Sequence, residues 1–193
     1  MEEYFENEVI QNKTWSGETL EGIDWVDCTF QNCTWTACDF YKISFSSCHF
    51  QDCQIDTSTF SYSKVQDSTF YRCTLLGISW EELKSAGRFA SPIKSMEHCT
   101  LKYNHFVKIP LDKVKFTEST IIQSMFADCS LKNSSFQGVN LSGSEFFQCD
   151  LQKSNFQQAT AYTIDVLTCK LKDGKFSMPE VLNLLDTFQI KID

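Results

Sequence analysis

Large apolar residues recur at every fifth position over most of the chain. From Trp25 to Trp80 each position at this spacing is Trp, Phe, Ile, Val or Leu, and the spacing resumes from Leu101 to Phe156. The residue two places before each large residue is mostly Cys or Ser. A helix repeats its faces every 3.6 residues and a strand every two, so neither explains a period of five. A repeat of this kind predicts a solenoid.

All ten cysteines stand at the small position of this repeat: Cys28, Cys33, Cys38, Cys48, Cys53, Cys73, Cys99, Cys129, Cys149 and Cys169. We predict that they are small buried side chains. Cys33, Cys53 and Cys73 are twenty residues apart and should stack, but stacked side chains point in parallel, which disfavours a disulfide. Cys28 and Cys33 belong to different faces and lack the ligand spacing of zinc sites. From the spacing of the cysteines we therefore expect no metal site.

The segment 139–156 repeats a small, a polar and a large residue, followed by two polar ones: Val-Asn-Leu, Ser-Glu-Phe, Cys-Asp-Leu and Ser-Asn-Phe. It resembles the pentapeptide-repeat family, whose unit reads Ala-(Asp/Asn)-Leu-x-x, and the resemblance covers roughly residues 23–176. It implies an all-β fold, a right-handed quadrilateral β-helix in which four pentapeptides form one square coil. The repeats in this region imply about seven coils, with the small and large residues pointing inward.

The chain departs from the repeat in two places. The small positions of the first four units hold Glu3, Glu8, Lys13 and Glu18. Unpaired charges are costly to bury, so we expect residues 1–22 to form an irregular N-terminal cap before coils over 23–80. Residues 81–98 form the second departure and predict an irregular coil or a projecting loop before coils over 99–176. Trp80 to Leu101 is 21 residues, which is one coil plus one.

The C-terminal residues change to a helical pattern. Ser177 and Glu180 match a helix capping box, with Pro179 in the first turn. We predict that residues 177–193 form a short helix and dimerisation module, because an apolar cap on a rod is also a candidate dimer surface. The predicted interface is Val181, Leu182, Leu185, Phe188 and Ile190.

Charge is distributed unevenly along the 193 residues. The net charge is −8, with eleven acidic and two basic residues in 1–60 giving −9, and the remainder giving +1. A strongly acidic protein is disfavoured as a direct nucleic-acid binder. No apolar run reaches the length of a membrane span, and the start Met1-Glu2-Glu3-Tyr4 does not resemble a signal peptide. We therefore predict a cytoplasmic protein with reduced thiols and no membrane partner.

No catalytic set can be assembled from the sequence. His49 and His105 fall at outward positions and His98 lies in the irregular segment. With seven glycines and no phosphate-binding loop motif, a cofactor site is not expected. We predict that the protein is not an enzyme and has no cofactor.

Acidic residues concentrate on two adjacent faces of the expected square. The predicted acidic surface is Glu21, Asp24, Asp27, Asp39, Asp67, Glu81 and Glu82. One interpretation is a solvated, solubilising surface. The other is a mimic of duplex DNA, because carboxylates along a straight rod produce a field like that of a phosphate backbone. Six lysines interrupt the acidity in the C-terminal half: Lys102, Lys108, Lys113, Lys115, Lys132 and Lys153.

Three segments resemble one branch of the family, the bacterial topoisomerase-protecting proteins of the quinolone- and albicidin-resistance types. They are the coil end Gly77–Trp80, the tail Tyr162–Asp165, and Phe176–Glu180, and the similarity is greatest to the albicidin-resistance type. The resemblance implies a dimer that binds DNA gyrase where DNA would lie and protects it from poisons. It also implies partner contacts from the irregular segment, at Arg88, Phe89, Ile93 and Met96. The alternative function is a structural interaction scaffold for an unrelated protein, without topoisomerase activity.

Overall fold

The computed structural model describes residues 3–83 and 91–190. The chain is nearly all-β and winds into a parallel β-solenoid of about eight coils, with a short helix at its C-terminus. This confirms the predicted fold class. Consecutive five-residue units lie on consecutive faces, and the strands and bridges of each face pair in parallel with those one coil away. We number the four faces 1 to 4 in the order in which the first coil visits them.

Each face is a ladder of short strands. Face 1 contains β1 (Glu3–Glu6), β5 (Ile23–Val26), β9 (Ser44–Ser46) and β12 (Lys64–Gln66), and continues through bridges at Pro110, Ser130, Asp150 and Lys170. Face 2 contains β2 (Val9–Gln11), β6 (Thr29–Gln31), β10 (His49–Gln51), β13 (Ser68–Tyr71), β15 (Ile93–Glu97), β21 (Asn155–Phe156) and β23 (Lys175–Phe176). Face 3 contains β3 (Thr14–Ser16), β7 (Thr34–Thr36), β11 (Gln54–Asp56), β14 (Thr74–Leu76), β16 (Thr100–Lys102) and β18 (Thr120–Ile122). Face 4 contains β4 (Thr19–Glu21), β8 (Asp39–Tyr41), the 3-10 turn Trp80–Glu82, β17 (His105–Val107), β19 (Met125–Ala127), β20 (Glu145–Phe147) and β22 (Thr163–Ile164).

The core is a set of stacked columns along the axis. The large residue of each unit lies on the equivalent residue of the next coil, so Phe30 and Phe50 stack with ring centroids 4.9 Å apart. Phe106 and Phe126 stack at 4.6 Å. Rings from neighbouring faces meet edge-on, which is the favourable geometry for aromatic pairs. The five-residue period therefore reflects one inward-pointing aromatic or aliphatic residue for each face.

The small inner residues also complete the hydrogen bonding of the backbone. Ser63 Oγ accepts the backbone N–H of Ile43 at 3.1 Å and donates to the carbonyl of Phe40 at 3.0 Å. Cys53 Sγ donates to the carbonyl of Phe30 at 3.4 Å. Backbone groups buried at the corners would otherwise lack partners. The cysteines are therefore buried as predicted, and in addition they link adjacent coils.

The residue two places after each large residue turns the corner with a positive φ. Asn32 has φ 51° and Lys42 has φ 54°, in the left-handed region that favours glycine. Gly143 occupies such a corner, and a Cβ there would lie 3.2 Å from Gln123 Cγ. The positive φ costs conformational energy at each non-glycine corner. This cost is offset because each corner positions the next strand to pair with its neighbour in the adjacent coil.

The prediction of an irregular N-terminal cap over 1–22 is wrong for the described residues. The strands β1 to β4 form a regular coil in register with the next one, and Trp15 stacks on Trp35 at 5.0 Å. The charges at the inner positions of this coil are exposed, because it is the first coil and no described coil covers its outer side. The argument from buried charge therefore did not apply.

The second departure is an insertion within one coil. Phe70 pairs with Met96, and Trp80 stacks on Phe106 at 5.6 Å, so this coil spans 26 residues, six more than the twenty of a regular coil. The prediction of one coil plus one residue between Trp80 and Leu101 is wrong, because these two residues lie on different faces and do not stack on each other. The strand β15 covers part of the predicted irregular segment, and residues 84–90 lie outside the described residues.

The C-terminal helix is a 3-10 helix over Glu180–Phe188. The predicted capping box does not form, because Ser177 Oγ accepts the N–H of Gln158 and Glu180 Oε2 accepts the N–H of Ala161. Both side chains thus tie the tail to the last coil. Leu184 packs against the core. Among residues 3–83 and 91–190, no helix has the length and apolar character needed to cross a membrane.

Candidate acidic interaction surface

The structure places the seven predicted acidic residues on two adjacent faces. Asp24, Asp27 and Asp67 lie on face 1 or its corner, and Glu21, Asp39, Glu81 and Glu82 lie on face 4. All seven are exposed. The assumed adjacency of these residues is therefore present, although their role in binding stays a prediction.

The lysines of the C-terminal half lie mostly away from face 4. Lys113, Lys132 and Lys153 are on face 1 or its corner, Lys115 is on face 2, and Lys102 is on face 3. Of the six lysines predicted to interrupt the acidity, Lys108 alone belongs to face 4. Acidity declines along the chain but continues along this face.

Face 4 carries carboxylates that sequence reasoning did not select. Asp128, Glu145 and Asp165 extend its acidic series into the last coils. The complete set on the described part of face 4 is Glu18, Glu21, Asp39, Glu81, Glu82, Asp128, Glu145 and Asp165, against Lys42 and Lys108. The twenty-residue period, applied to the second half of the chain with the six-residue insertion included, would have identified them.

Some of these carboxylates also accept hydrogen bonds from other groups of the protein. Asp39 accepts a hydrogen bond from Thr59 Oγ1 at 2.7 Å, across one rung of the ladder. Glu82 Oε2 accepts the backbone N–H of Phe60 at 3.1 Å, at the point where the 3-10 turn interrupts face 4. Glu82 is therefore partly a structural residue, and a substitution there would change both the field and the fold.

Two exposed apolar residues stand among the acids of face 4. Met125 is 38% exposed and Phe147 is 45% exposed. Met125 pairs in register with Glu145, and Phe147 with Ala127, so the two apolar side chains lie on neighbouring rungs. Methionine and aromatic residues are enriched at protein–protein interfaces. This mixture of acidic and apolar groups favours a protein partner over a purely solvated surface.

The predicted contact segment is wrong in part. Ile93 and Met96 are fully buried, with Met96 occupying the large position of its coil opposite Phe70. They belong to the core and cannot contact a partner from the surface. Arg88 and Phe89 lie outside the described residues.

An ion pair on the corner after face 2 was also missed. Arg72 donates to both carboxylate oxygens of Asp52 at 2.7 Å, one coil apart. This bond lowers the pKa of Asp52. The pair joins adjacent coils and uses Asp52 internally, so Asp52 adds little to the acidic surface.

Cys33 and Cys48 are held as neutral thiols by burial. Burial raises the pKa of the Cys33 thiol, and it raises that of Cys48 to about 12. Neutral buried thiols are poor nucleophiles and poor metal ligands. Among residues 3–83 and 91–190, no group of three His, Cys, Asp or Glu side chains is placed to hold a metal ion.

The C-terminal surface exposes part of the predicted dimer interface. Leu182, Phe188 and Ile190 are 39%, 51% and 56% exposed, whereas Val181 and Leu185 are half-buried. The apolar side chains that face away from the core thus lie together on the helix and just beyond it.

These observations define a four-faced parallel β-solenoid built from five-residue units, with exposed carboxylates along face 4. The pentapeptide repeat region family model matches residues 23–87, 93–156 and 110–183. The chain belongs to the pentapeptide-repeat family, whose members are structural solenoids.

Solved structures of QnrB1, described as a plasmid-mediated fluoroquinolone resistance protein, are similar in fold. A trypsin-treated variant has a TM-score of 0.58 at 17% identity, covering 97% of this chain and 99% of that one. A second trypsin-treated variant has a TM-score of 0.57 at 19% identity, covering 96% and 100%. Full-length QnrB1 has a TM-score of 0.53 at 17% identity, covering 97% and 100%. A comparison with curated proteins finds no match in sequence.

Proposed function

We propose that this protein is a DNA mimic that binds DNA gyrase, or a related type II topoisomerase, and protects it from topoisomerase poisons in the cytoplasm. The observation that carries the proposal is the distribution of charge around the solenoid. Face 4 has carboxylates from the first coil to the last, while most lysines lie on other faces. The likeness in fold to QnrB1, a fluoroquinolone resistance protein by its description, supports the same class of function.

The magnitude of the charge limits what electrostatics contributes. Eight acids and two lysines give face 4 a net charge of −6. Eight coils at about 4.8 Å span about 35 to 40 Å, so there is one net charge per about 6 Å of length, against one per about 1.7 Å in duplex DNA. The field is therefore about a third as dense as that of DNA. Apolar contacts from Met125 and Phe147 have to supply part of the affinity.

Binding alone accounts for protection, without a chemical step. A rod on the basic DNA-binding surface of the topoisomerase would compete with DNA or release the drug-stabilised cleavage complex. Charge complementarity mainly accelerates association and orients the partners, so we expect strong salt dependence. Lys42 and Lys108 are the basic interruptions along the described part of face 4.

We further propose a homodimer formed through the C-terminal module. Leu182, Phe188 and Ile190 are exposed apolar side chains for which a second copy of the same surface would be a self-complementary partner. Such a dimer doubles the length of the rod and places the acidic N-terminal coils at its tips. The substitutions Leu182→Asp and Phe188→Asp should halve the mass measured by light scattering, and an unchanged mass would exclude this interface.

The function is tested by titrating purified protein into gyrase supercoiling and cleavage assays, with and without a fluoroquinolone or albicidin. The variant Glu21→Gln/Glu145→Gln neutralises two carboxylates of face 4, and its matched control Glu97→Gln/Glu118→Gln neutralises two on face 2. We expect the first to weaken protection by about tenfold and the control by less than twofold. Equal effects of both variants would reject face 4 as the binding surface.

The insertion is tested by a deletion that restores the regular period. Removing residues 84–89 shortens the 26-residue coil to twenty and places Ser91 five residues after Trp80, at the spacing of a regular unit. We expect a folded solenoid that has lost protection. If protection persists, the insertion makes no essential contact. If the intact protein neither binds gyrase nor counters either drug, the scaffold function for an unrelated partner replaces the proposal.

A further inference from the structure

The first coil of the described residues is a regular coil. Its strands pair with the second coil in the register used throughout, with Phe5 opposite Trp25 and Leu20 opposite Phe40. Its outer side presents the edges of four strands, and no coil of the described residues covers them. Exposed strand edges are templates for pairing with another chain.

The outer side of this coil also exposes the end of the apolar core. Phe5 is 37% exposed, and Ile10, Trp15 and Leu20 are half-buried, whereas Phe30, Trp35 and Phe40 directly above them are fully buried. An additional coil stacked on this end would bury the four side chains and satisfy the strand edges. The edge thus presents one side of the interface that joins internal coils.

The inner positions of this coil carry charges where the second coil has Ile23, Cys28, Cys33 and Cys38. These charged residues are Glu3, Glu8, Lys13 and Glu18, and all four are exposed. Inside the solenoid, an inner side chain is enclosed and bonds to the coil before it, as Cys33 Sγ does to the carbonyl of Ile10 at 3.4 Å. A coil stacked on the first one would enclose all four charges without such partners, at a cost of several kcal/mol each.

We infer that the outer edge of the first coil is a complete stacking surface for a second copy of this chain, and that Glu3, Glu8, Lys13 and Glu18 keep it unpaired. The opposite end of the solenoid is covered by the 3-10 helix, which packs through Leu184, so stacking of head on tail is blocked. Two first coils would therefore meet about a two-fold axis, with their facing strands antiparallel, whereas internal coils pair in parallel. Each edge carries a net charge of −2 from three glutamates and one lysine, so the two edges also repel. This inference is independent of the proposed function.

The test replaces the four charges by serine, a residue that internal coils hold at inner positions, as at Ser63 and Ser144. The variant is Glu3→Ser/Glu8→Ser/Lys13→Ser/Glu18→Ser, and its mass is measured by size-exclusion chromatography with light scattering. We expect at least twice the mass of the wild type at the same concentration, because a C-terminal dimer would join such pairs into longer rods, and twice the mass where the C-terminal contact is removed. The matched control Glu6→Ser/Glu21→Ser/Asp24→Ser/Lys42→Ser removes three acids and one lysine from outward positions, and should keep the wild-type mass.

The same comparison is made in the Leu182→Asp/Phe188→Asp background, which separates this contact from a C-terminal dimer. A milder variant, Glu8→Ser/Glu18→Ser, should associate more weakly than the four-serine variant and guards against loss of folding in the latter. Circular dichroism and thermal unfolding verify the solenoid in each case. An unchanged mass in the folded variants, or an equal rise in the control, would overturn the inference.

Discussion

Trp80 Nε1 donates a hydrogen bond of 2.9 Å to Asn104 Oδ1 inside the solenoid, on the two sides of the six-residue insertion. Asn104 is fully buried, and its amide nitrogen donates to the carbonyl of Leu75 at 2.8 Å. One side chain thus satisfies an indole and a backbone carbonyl where the coil departs from its regular period. The pair holds face 4 in phase across the insertion.

Replacing Asn104 by Leu should lower the free energy of unfolding by about 3 kcal/mol, because it leaves the indole N–H and the Leu75 carbonyl buried without partners. Guanidinium denaturation measures the change. The double variant Trp80→Phe/Asn104→Leu should recover at least about 1 kcal/mol of that loss, since the orphaned indole is removed. Strict additivity of the two substitutions would show that the bond is not important to stability.

Replacing Ser144 by Ala should destabilise the protein by about 1 to 2 kcal/mol. Ser144 Oγ accepts the N–H of Ser124 at 3.1 Å and donates to the carbonyl of Ile121 at 2.8 Å, and both backbone groups are buried. Ser144→Cys should retain most of the stability, because cysteine makes the same bonds elsewhere in the solenoid. Ser16→Ala, at an exposed position of β3, serves as the control and should change stability by less than about 0.5 kcal/mol.

The buried Cys48 thiol should make the protein less stable in alkali. Burial raises the pKa of Cys48 from 9.0 to about 12, so the folded state holds a proton that the unfolded state releases. This contribution is fully present below pH 9 and is lost as the pH rises toward 12. The denaturant concentration at the midpoint of unfolding should therefore decrease as the pH is raised from 8 to 10.5. The decrease should be smaller in Cys48→Ser. Near pH 8, Ellman's reagent should react about a hundredfold more slowly with the native protein than with the unfolded one.

Tyr162 should ionise about two pH units above an ordinary tyrosine. Burial, reinforced by the Glu180 carboxylate, raises its pKa from 10.0 to about 12. Absorbance at 295 nm should show a late step that Tyr162→Phe removes and Tyr103→Phe leaves in place. The Tyr162 hydroxyl is buried and has no partner within the described residues, so Tyr162→Phe should preserve stability at neutral pH. A marked loss of stability would indicate a hydrogen bond that the structure lacks.

Sequence periodicity identified the solenoid and its core because each face needs one inward-pointing large residue. Phe30, Trp35 and Phe40 were assigned to the core because the family resemblance implies that the large residues of the repeat point inward, and all three are buried. The same reasoning misjudged the first coil. It treated Glu3 and Glu8 as residues that would have to be buried, whereas a position at the end of a stack has water on one side. The residue pattern within a coil does not show whether another coil stacks on it.

The acidic surface was predictable where the period is unbroken and not beyond the insertion. Glu21 and Asp39 were placed among the acids of two adjacent faces, and the structure has them on face 4. Asp128 and Glu145 were missed, because the six extra residues shift the face of everything that follows. The register across the insertion depends on long-range contacts such as Trp80 with Phe106 and Asn104. Those contacts form between residues more than twenty apart, and no local pattern contains them.

The sequence by itself determined the repeat, the inward and outward positions, the burial of the cysteines and the excess of acid near the N-terminus. The tertiary structure alone decided which face each charge occupies, that Ile93 and Met96 belong to the core, and that the first coil is regular with an open edge. The physical reason is that a five-residue unit specifies its own turn and its inward side chain. The stacking of coils, which sets register, exposure and the sharing of hydrogen bonds, is a property of the whole solenoid.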